Sequence, residues 1–318
     1  MKKKNIIPFI VFIIMMLIIT ACSKVNETMS TKKETLTVYT TIFPLEDFTK
    51  KIGGKDVEVK SVYPPGTDAH TYEPTQKMMM EMANANLFIY NGAGLEAFAE
   101  KLHDTLQKEN VKIIETTKGI DLLEYEDEHT HNDAHHDSND NNHHEVDPHV
   151  WLDPILAIQQ AETIKDALVS LKPERKDEFE ANFEQVKKQL EKLDEQLKEV
   201  IQQAKTDKIL VAHAAYGYWE KRYGLKQISV TGLSPSNEPS QKSLTNVIKK
   251  AKEHELKYIL FETFATPQVA EVVKKEVGAD ILRIHHLSSQ TEEDQKNNKD
   301  YFDLMNENIK TLEKALNE

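Results

Sequence analysis

The chain has 318 residues, of which 29% are charged, and its formal net charge is −13. This diffuse excess of carboxylates disfavours nucleic acid and anionic lipid surfaces as partners, and it mildly favours cations. Cys22 is the only cysteine, which excludes a disulfide within the chain.

The first residues predict export. Lysines follow Met1, and an uncharged apolar run then extends over residues 6–19. That run is shorter than the about 20 residues of a membrane-spanning helix, and a basic start with a short apolar core is typical of a secretory signal. The run ends in Ile-Thr-Ala-Cys22, which resembles a bacterial lipobox. The resemblance implies that residues 1–21 are a lipoprotein signal peptide and that Cys22 carries lipid such as palmitate. An N-terminal anchor helix with a stray cysteine is the alternative.

Residues 22–34 are polar and aperiodic, which predicts a flexible tether. From residue 35 onward, strand-like segments alternate with helical ones. The strand-like segments are TLTVYTT, DVEVKSV, LFIYNG and VKIIET, and later KILVAHAA, KQISVTG, YILFE and ADILRIH. Such alternation predicts mostly parallel sheets covered by helices. We therefore expect an α/β protein with an N-terminal lobe of residues 35–172 and a C-terminal lobe of residues 206–318.

Residues 173–205, between these lobes, carry an apolar stripe. Apolar side chains recur at alternating steps of four and three from Phe179 to Ala204, with no Pro or Gly in that stretch. The pattern predicts one continuous helix, on the order of 45–50 Å long. We interpret it as a rigid helix that joins the two lobes and packs along both. The alternative is a dimeric coiled coil, because the heptad pattern is sustained.

The histidines indicate metal chemistry. Residues 125–146 hold six of the 13 histidines among many carboxylates and almost no apolar residue. Such a segment cannot form a core, whereas dense imidazole and carboxylate groups bind zinc, copper or nickel ions loosely. We interpret it as a disordered metal-capture loop, and a merely solvated acidic insert is the alternative. Its histidines are His129, His131, His135, His136, His143 and His144.

Three other histidines lie at more ordered positions. His70 follows a strand, His149 lies between the loop and a helix that begins near Pro154, and His213 ends a strand. Ligands of α/β proteins bind at the carboxyl ends of the strands, and neutral imidazole suits Zn²⁺. On this reasoning alone, a metal site and three structural histidines are about equally plausible.

Several motifs, in this order along the chain, resemble those of the metal-binding solute-binding proteins of ABC importers, in the zinc-specific ZnuA-type family. They are the lipobox, PPGTDAHTYEPT, DPHVWLDP, HAAYGYW with SVTGLSPSNEPS, and FETFATPQVAE. The resemblance covers essentially the whole chain after the signal peptide. It implies two α/β lobes joined by one rigid helix, with one tight Zn²⁺ site between them formed by His70, His149 and His213. Manganese-binding relatives have a carboxylate at the third position, so His213 implies zinc.

One departure from the family pattern concerns the fourth ligand. Many relatives supply an Asp or Glu in the segment that corresponds to HHLSSQTEED, where this chain has Ser288. A serine hydroxyl is a poor zinc ligand, so we expect three histidines with a water or a transient ligand from the loop. Glu262, His285 and His286 are accessory candidates. Glu262 fits equally well a role in bonding the second ring nitrogen of a histidine.

The resemblance implies an extracytoplasmic receptor, not an enzyme, that captures Zn²⁺ and delivers it to an ABC transporter permease. We expect a monomer, lipid-anchored at the outer face of the plasma membrane, with weaker extra ions on the loop and no nucleic-acid partner. One alternative is a zinc-dependent hydrolase with a three-histidine, one-water site, although the His-Glu-x-x-His signature is absent. The other is a surface adhesion lipoprotein, for which no residue specifies a partner.

Overall fold

Two parallel sheets form the framework of the protein, in a computed structural model that describes residues 35–125, 145–236, 239–262 and 267–318. The first sheet has the strand order β2-β1-β3-β4, and every pairing in it is parallel. Its strands are β1 (Leu36–Thr40), β2 (Val57–Ser61), β3 (Leu87–Tyr90) and β4 (Lys112–Glu115). The predicted parallel sheet of the N-terminal half is therefore confirmed.

The second sheet also has four strands that are all parallel. Two short antiparallel strands come first in the chain, β5 (Glu124–Tyr125) and β6 (Glu145–Val146). The strands of the second sheet are β7 (Lys208–His213), β8 (Lys226–Thr231), β9 (Tyr258–Glu262) and β10 (Asp280–Ile284). They lie in the order β10-β9-β7-β8, again all parallel. The α/β fold class with two sheets is confirmed.

Helices occupy most of the connections between the strands of the two sheets. In the first half they are α1 (Phe43–Gly53), α2 (Gln76–Met82), α3 (Ala97–Lys108) and α4 (Pro154–Leu171). The Asp153 carboxylate caps α4 by accepting hydrogen bonds from the backbone N–H groups of Ile155 and Leu156. Because such a cap satisfies otherwise unpaired amides, it fixes the start of α4 at Pro154, five residues after His149.

The helix that joins the two halves is α5 (Lys176–Gln202), and a separate 3₁₀ turn, Pro173–Arg175, precedes it. It lies inside the predicted range of residues 173–205. It packs against α1 and α4 of the N-terminal half and also against the C-terminal helix, Tyr301–Asn317. The helices of the C-terminal half are α6 (Gly217–Tyr223), α7 (Gln241–Glu253), α8 (Pro267–Val277), α9 (Glu292–Lys296) and α10 (Tyr301–Asn317).

The apolar stripe of α5 is buried within this one chain. Its buried members are Phe179, Phe183, Val186, Leu190, Leu193 and Leu197. Each large aliphatic side chain in such a core stabilises the fold by about 2–5 kcal/mol relative to alanine. The heptad pattern is therefore explained by packing against α1, α4 and α10, and it requires no second copy of the chain.

Several sequence predictions fall outside the described residues. They concern the signal peptide and Cys22 in residues 1–34, and the six loop histidines in residues 126–144. In the part of the chain that the structure does describe, no helix is long and apolar enough to cross a membrane.

Candidate metal centre

The three histidines singled out from the sequence meet at the carboxyl ends of the two sheets. His213 is the last residue of β7, His70 lies in the loop after β2, and His149 directly precedes a 3₁₀ turn, Val150–Leu152. Their potential ligand atoms all lie within 4.8 Å of one another. The fold therefore gathers three imidazoles from distant parts of the chain around one point.

The spacing of the ring nitrogens fits a single ion. Nε2 of His149 lies 3.3 Å from Nε2 of His70. Two nitrogens bound to one tetrahedral zinc are about 3.4 Å apart, because each Zn–N bond is about 2.0–2.1 Å long. Nε2 of His213 is buried and has no hydrogen-bond partner. These nitrogens are placed as ligands would be placed.

Carboxylates hold the outer nitrogens of two of the rings. Nδ1–H of His149 donates to Oδ1 of Asp147 at 2.7 Å, and Nδ1–H of His213 donates to Oε2 of Glu262 at 2.5 Å. All four side chains are buried. Because a carboxylate only accepts hydrogen bonds, it keeps the proton on Nδ1 and leaves the lone pair of Nε2 free for a metal.

Asp147 was not among the residues predicted from the sequence. Its Oδ1 also accepts the backbone N–H of His149 at 2.9 Å, and its carbonyl oxygen accepts the hydroxyl of Tyr218 at 2.7 Å. A Cβ at Gly217 would lie 2.7 Å from Oδ2 of Asp147, so the glycine permits this close approach. The signal available in the sequence was a carboxylate two residues before a candidate ligand.

Burial favours the neutral form of two of the rings, His70 and His149. Burial, helped by the nearby His213 ring, lowers the pKa of His70 to about 4. Burial, with the surrounding imidazoles, also lowers the pKa of His149 well below its ordinary value. At neutral pH the His70 and His149 rings are therefore in the form that binds metal. Burial raises the pKa of Asp147 to about 8, and a cation at the centre would favour its charged form.

A fourth histidine, His286, lies beside these three. Its ring centroid is 4.8 Å from that of His213 and 5.0 Å from that of His149. Nδ1 of His286 is hydrogen-bonded to the Ser288 hydroxyl at 2.9 Å, while its Nε2 is buried without a partner. Of the accessory candidates from the sequence, His286 is thus the one whose ring lies beside the three histidines and whose second ring nitrogen is unpaired.

The other accessory candidates have different surroundings. Glu262 bonds His213 as described, and its Oε1 accepts the hydroxyl of Tyr216 at 3.4 Å. His285 uses both ring nitrogens elsewhere: Nε2 bonds Oδ2 of Asp294 at 3.1 Å, and Nδ1 accepts the backbone N–H of Leu287 at 2.9 Å. His285 therefore contributes no free nitrogen to the centre.

The walls of the site leave one side open. The Trp151 ring packs edge-on against His149 and His286, with centroids 5.3 Å away in both cases, and shields them. His149, His213 and His286 are buried, whereas His70 is partly exposed. A depression of about 250 Å³ opens over His70, and Glu145 and Val146 also line it. Access to the centre therefore passes His70, next to the end of the predicted capture loop.

Several known proteins that this chain resembles are named for zinc uptake or zinc binding. A sequence model of the family described as "Zinc-uptake complex component A periplasmic" (ZnuA) matches residues 38–315. The zinc-binding lipoprotein AdcA of Streptococcus pneumoniae (strain ATCC BAA-255 / R6) is 36% identical over 303 residues, which are 94% of this chain and 58% of that protein. The high-affinity zinc uptake system protein ZnuA of Bacillus subtilis (strain 168) is 33% identical over 303 residues, or 94% of each chain.

A solved structure of a domain of AdcA has a fold similar to that of this chain. The Zn(II)-bound ZnuA-like domain of Streptococcus pneumoniae AdcA superposes with a TM-score of 0.75 at 34% identity, covering 89% of this chain and all of that one. The chain thus spans only 58% of the full length of AdcA. Because the family model nonetheless covers almost all of its residues, the chain belongs to the ZnuA family of zinc-uptake components.

Proposed function

We propose that the protein is an extracytoplasmic receptor that captures Zn²⁺ with high affinity and passes it to an ABC-type zinc importer. The observation that carries this proposal is the arrangement of His70, His149 and His213, whose ligand atoms lie within 4.8 Å of one another. The relatives named for zinc binding and zinc uptake support the same function.

The donor set favours zinc over manganese. Imidazole nitrogen suits Zn²⁺, whereas Mn²⁺ prefers carboxylate, carbonyl and water oxygens. The two carboxylates nearest the centre, Asp147 and Glu262, bond the outer ring nitrogens and do not replace an imidazole. Selectivity for zinc then follows from the ligands rather than from overall charge.

The His-rich loop supplies ions to this site in our proposal. It binds further zinc ions weakly through His129, His131, His135, His136, His143 and His144. Glu145 and Val146, where the chain leaves that segment, border the depression over the partly exposed His70. Ions held by the loop are therefore released close to the entrance of the tight site.

Anchoring and delivery rest on the sequence. Residues 1–21 are removed, Cys22 is lipidated, and residues 22–34 tether the protein to the outer face of the plasma membrane. Residues 35–172 and 206–318 form the lobes, and residues 173–205 join them. The partner is a membrane permease that the loaded lobes meet, and the buried stripe of α5 supports a monomer. The lipobox and the name of the lipoprotein relative support the anchor.

The centre gives no support to the hydrolase alternative. A hydrolytic zinc site needs a carboxylate beside the metal-bound water. Asp147 and Glu262 are both committed to histidine nitrogens instead. The family is also one of solute-binding receptors and not a class of enzymes.

A zinc titration tests the proposal. The protein would be the full chain with its six loop histidines replaced by Asn, which we call the loop variant, in competition with a chelator and excess Mn²⁺. We expect one tight, Mn²⁺-resistant zinc equivalent that is lost in His213→Ala. His103→Asn is the control, because His103 is half-exposed on α3. Tight binding that survives His213→Ala, or that disappears in the loop variant, would contradict the proposal.

A further inference from the structure

We propose that His286 is the fourth ligand of the zinc ion, so that four imidazoles enclose it and no water completes its coordination. This inference rests on the function proposed above and specifies the coordination of the same site. Three independent observations carry it: the arrangement of the four rings, the unpaired nitrogen of His286, and the contacts that orient its ring.

The four rings are arranged like the corners of a tetrahedron. For four imidazoles bound through nitrogen to one zinc, Zn–N bonds of about 2.0–2.1 Å place neighbouring ring centroids about 5 Å apart. The three pairs among His149, His213 and His286 measure 4.8, 5.0 and 5.2 Å. The pairs with His70 measure 5.3, 6.0 and 6.4 Å. The ring centroid of His286 is thus nearer to those of His149 and His213 than the ring centroid of His70 is, although the ligand atoms that lie within 4.8 Å of one another are those of His70, His149 and His213.

The unpaired nitrogen of His286 needs a partner. In the part of the chain with described side chains, Nε2 of His213 and Nε2 of His286 are the buried histidine nitrogens without a hydrogen bond. A buried polar atom left unpaired costs about 1–3 kcal/mol. Because the two rings are neighbours, one ion between them satisfies both nitrogens.

The ring of His286 is oriented as a ligand ring is. Its Nδ1 bonds the Ser288 hydroxyl at 2.9 Å, as those of His149 and His213 bond carboxylates. Its backbone carbonyl accepts the indole N–H of Trp151 at 2.9 Å. Ser288, which was expected at the place of a ligand, therefore orients a ligand instead.

The resulting site is closed and electrically balanced. Four neutral imidazoles leave the charge of Zn²⁺ uncompensated by its ligands. With the cation bound, which favours the charged form of Asp147, the buried carboxylates of Asp147 and Glu262 supply the two negative charges, each bonded to the outer nitrogen of a ligand ring. A site with four protein ligands has the character of a holding site, whereas a catalytic zinc keeps one position open.

X-ray absorption spectroscopy of the loop variant with one equivalent of zinc tests this assignment without altering the centre. We expect four imidazoles and no oxygen ligand. In His286→Ala we expect three imidazoles with one oxygen, and zinc affinity weaker by at least about 100-fold, since even partners of ligands contribute 10–100-fold. Ser288→Ala should weaken binding by about 10-fold for the same reason.

His285→Ala is the matched control, since His285 is an adjacent, equally buried histidine whose nitrogens bond elsewhere. Its zinc affinity should stay within about 3-fold of the parent, because both of its ring nitrogens are bonded outside the centre and neither is free to bind the ion. Three imidazoles plus oxygen in the unmutated centre, or unchanged affinity in His286→Ala, would overturn the assignment of His286 and leave the proposed function intact. Absence of tight zinc binding altogether would instead overturn the proposed function.

Discussion

The Glu262 carboxylate offers a direct test of how this centre binds a cation. We predict that Glu262→Gln weakens zinc binding while leaving every imidazole in the site. Glu262 is buried, and its Oε2 lies 2.5 Å from Nδ1 of His213. Glutamine keeps the size of the side chain and removes its negative charge. The change therefore isolates the electrostatic contribution of a group that does not touch the metal.

The magnitude follows from distance. The hydrogen bond of 2.5 Å, the width of the imidazole ring and a Zn–N bond together place the carboxylate about 6–7 Å from the ion. At an effective dielectric constant of about 20, the attraction between a carboxylate and a divalent ion at that distance is about 5 kcal/mol. The loss of partial charge through metal–ligand bonding, together with the new amide dipole, reduces this, so we expect a loss of about 10–100-fold in affinity.

Competition titrations of the loop variant with a chelator measure the effect. The matched control is Asp294→Asn, because Asp294 also bonds a histidine nitrogen, at 3.1 Å on His285, but outside the centre. Its zinc affinity should not change. A loss below about 3-fold in Glu262→Gln, or an equal loss in the Asp294 variant, would refute the reasoning.

Two further predictions concern stability. Asp56→Asn removes the buried carboxylate that pairs with Lys172 at 3.2 Å and Arg175 at 2.8 Å, so urea unfolding near neutral pH should show a loss of about 3–5 kcal/mol. A loss below about 1 kcal/mol would contradict this structural role. Burial raises the pKa of Glu96 from 4.5 to about 7, so ionisation of this group makes the folded state less stable as the pH rises through that interval. In Glu96→Gln, the change in unfolding free energy between about pH 5 and about pH 8 should differ from that of the parent by about 1–3 kcal/mol, and an unchanged difference would contradict it.

The fold could be predicted because its signals are local. Alternating strand and helix patterns gave the α/β class, and the apolar stripe of residues 173–205 gave the long helix. The ends of α5 could not be predicted as well. Pro173–Arg175 forms a turn of its own before the helix begins at Lys176, and nothing in the periodicity of the stripe marks that break.

The candidate site was only partly accessible from the sequence. Motifs singled out His70, His149 and His213, which the structure brings together, and their binding of zinc stays a prediction. The pair His285 and His286 could not be separated, because neighbouring residues after a strand point in different directions. Tertiary contacts decide between them: Asn308 bonds the backbone of His285 on both sides, while Trp151 packs on the ring of His286.

The uneven exposure of the histidines has a consequence for the speed of zinc exchange. Three of the rings are buried, and only His70, on the loop after β2, reaches the surface. That loop is tied across the opening, since the Ser236 hydroxyl donates to Oδ2 of Asp68 at 2.6 Å. We therefore expect a zinc ion to enter and leave on the side of His70, and we expect movement of this loop to limit the rate of release. A change that weakens the hydrogen bond between Ser236 and Asp68 should therefore speed the release of zinc.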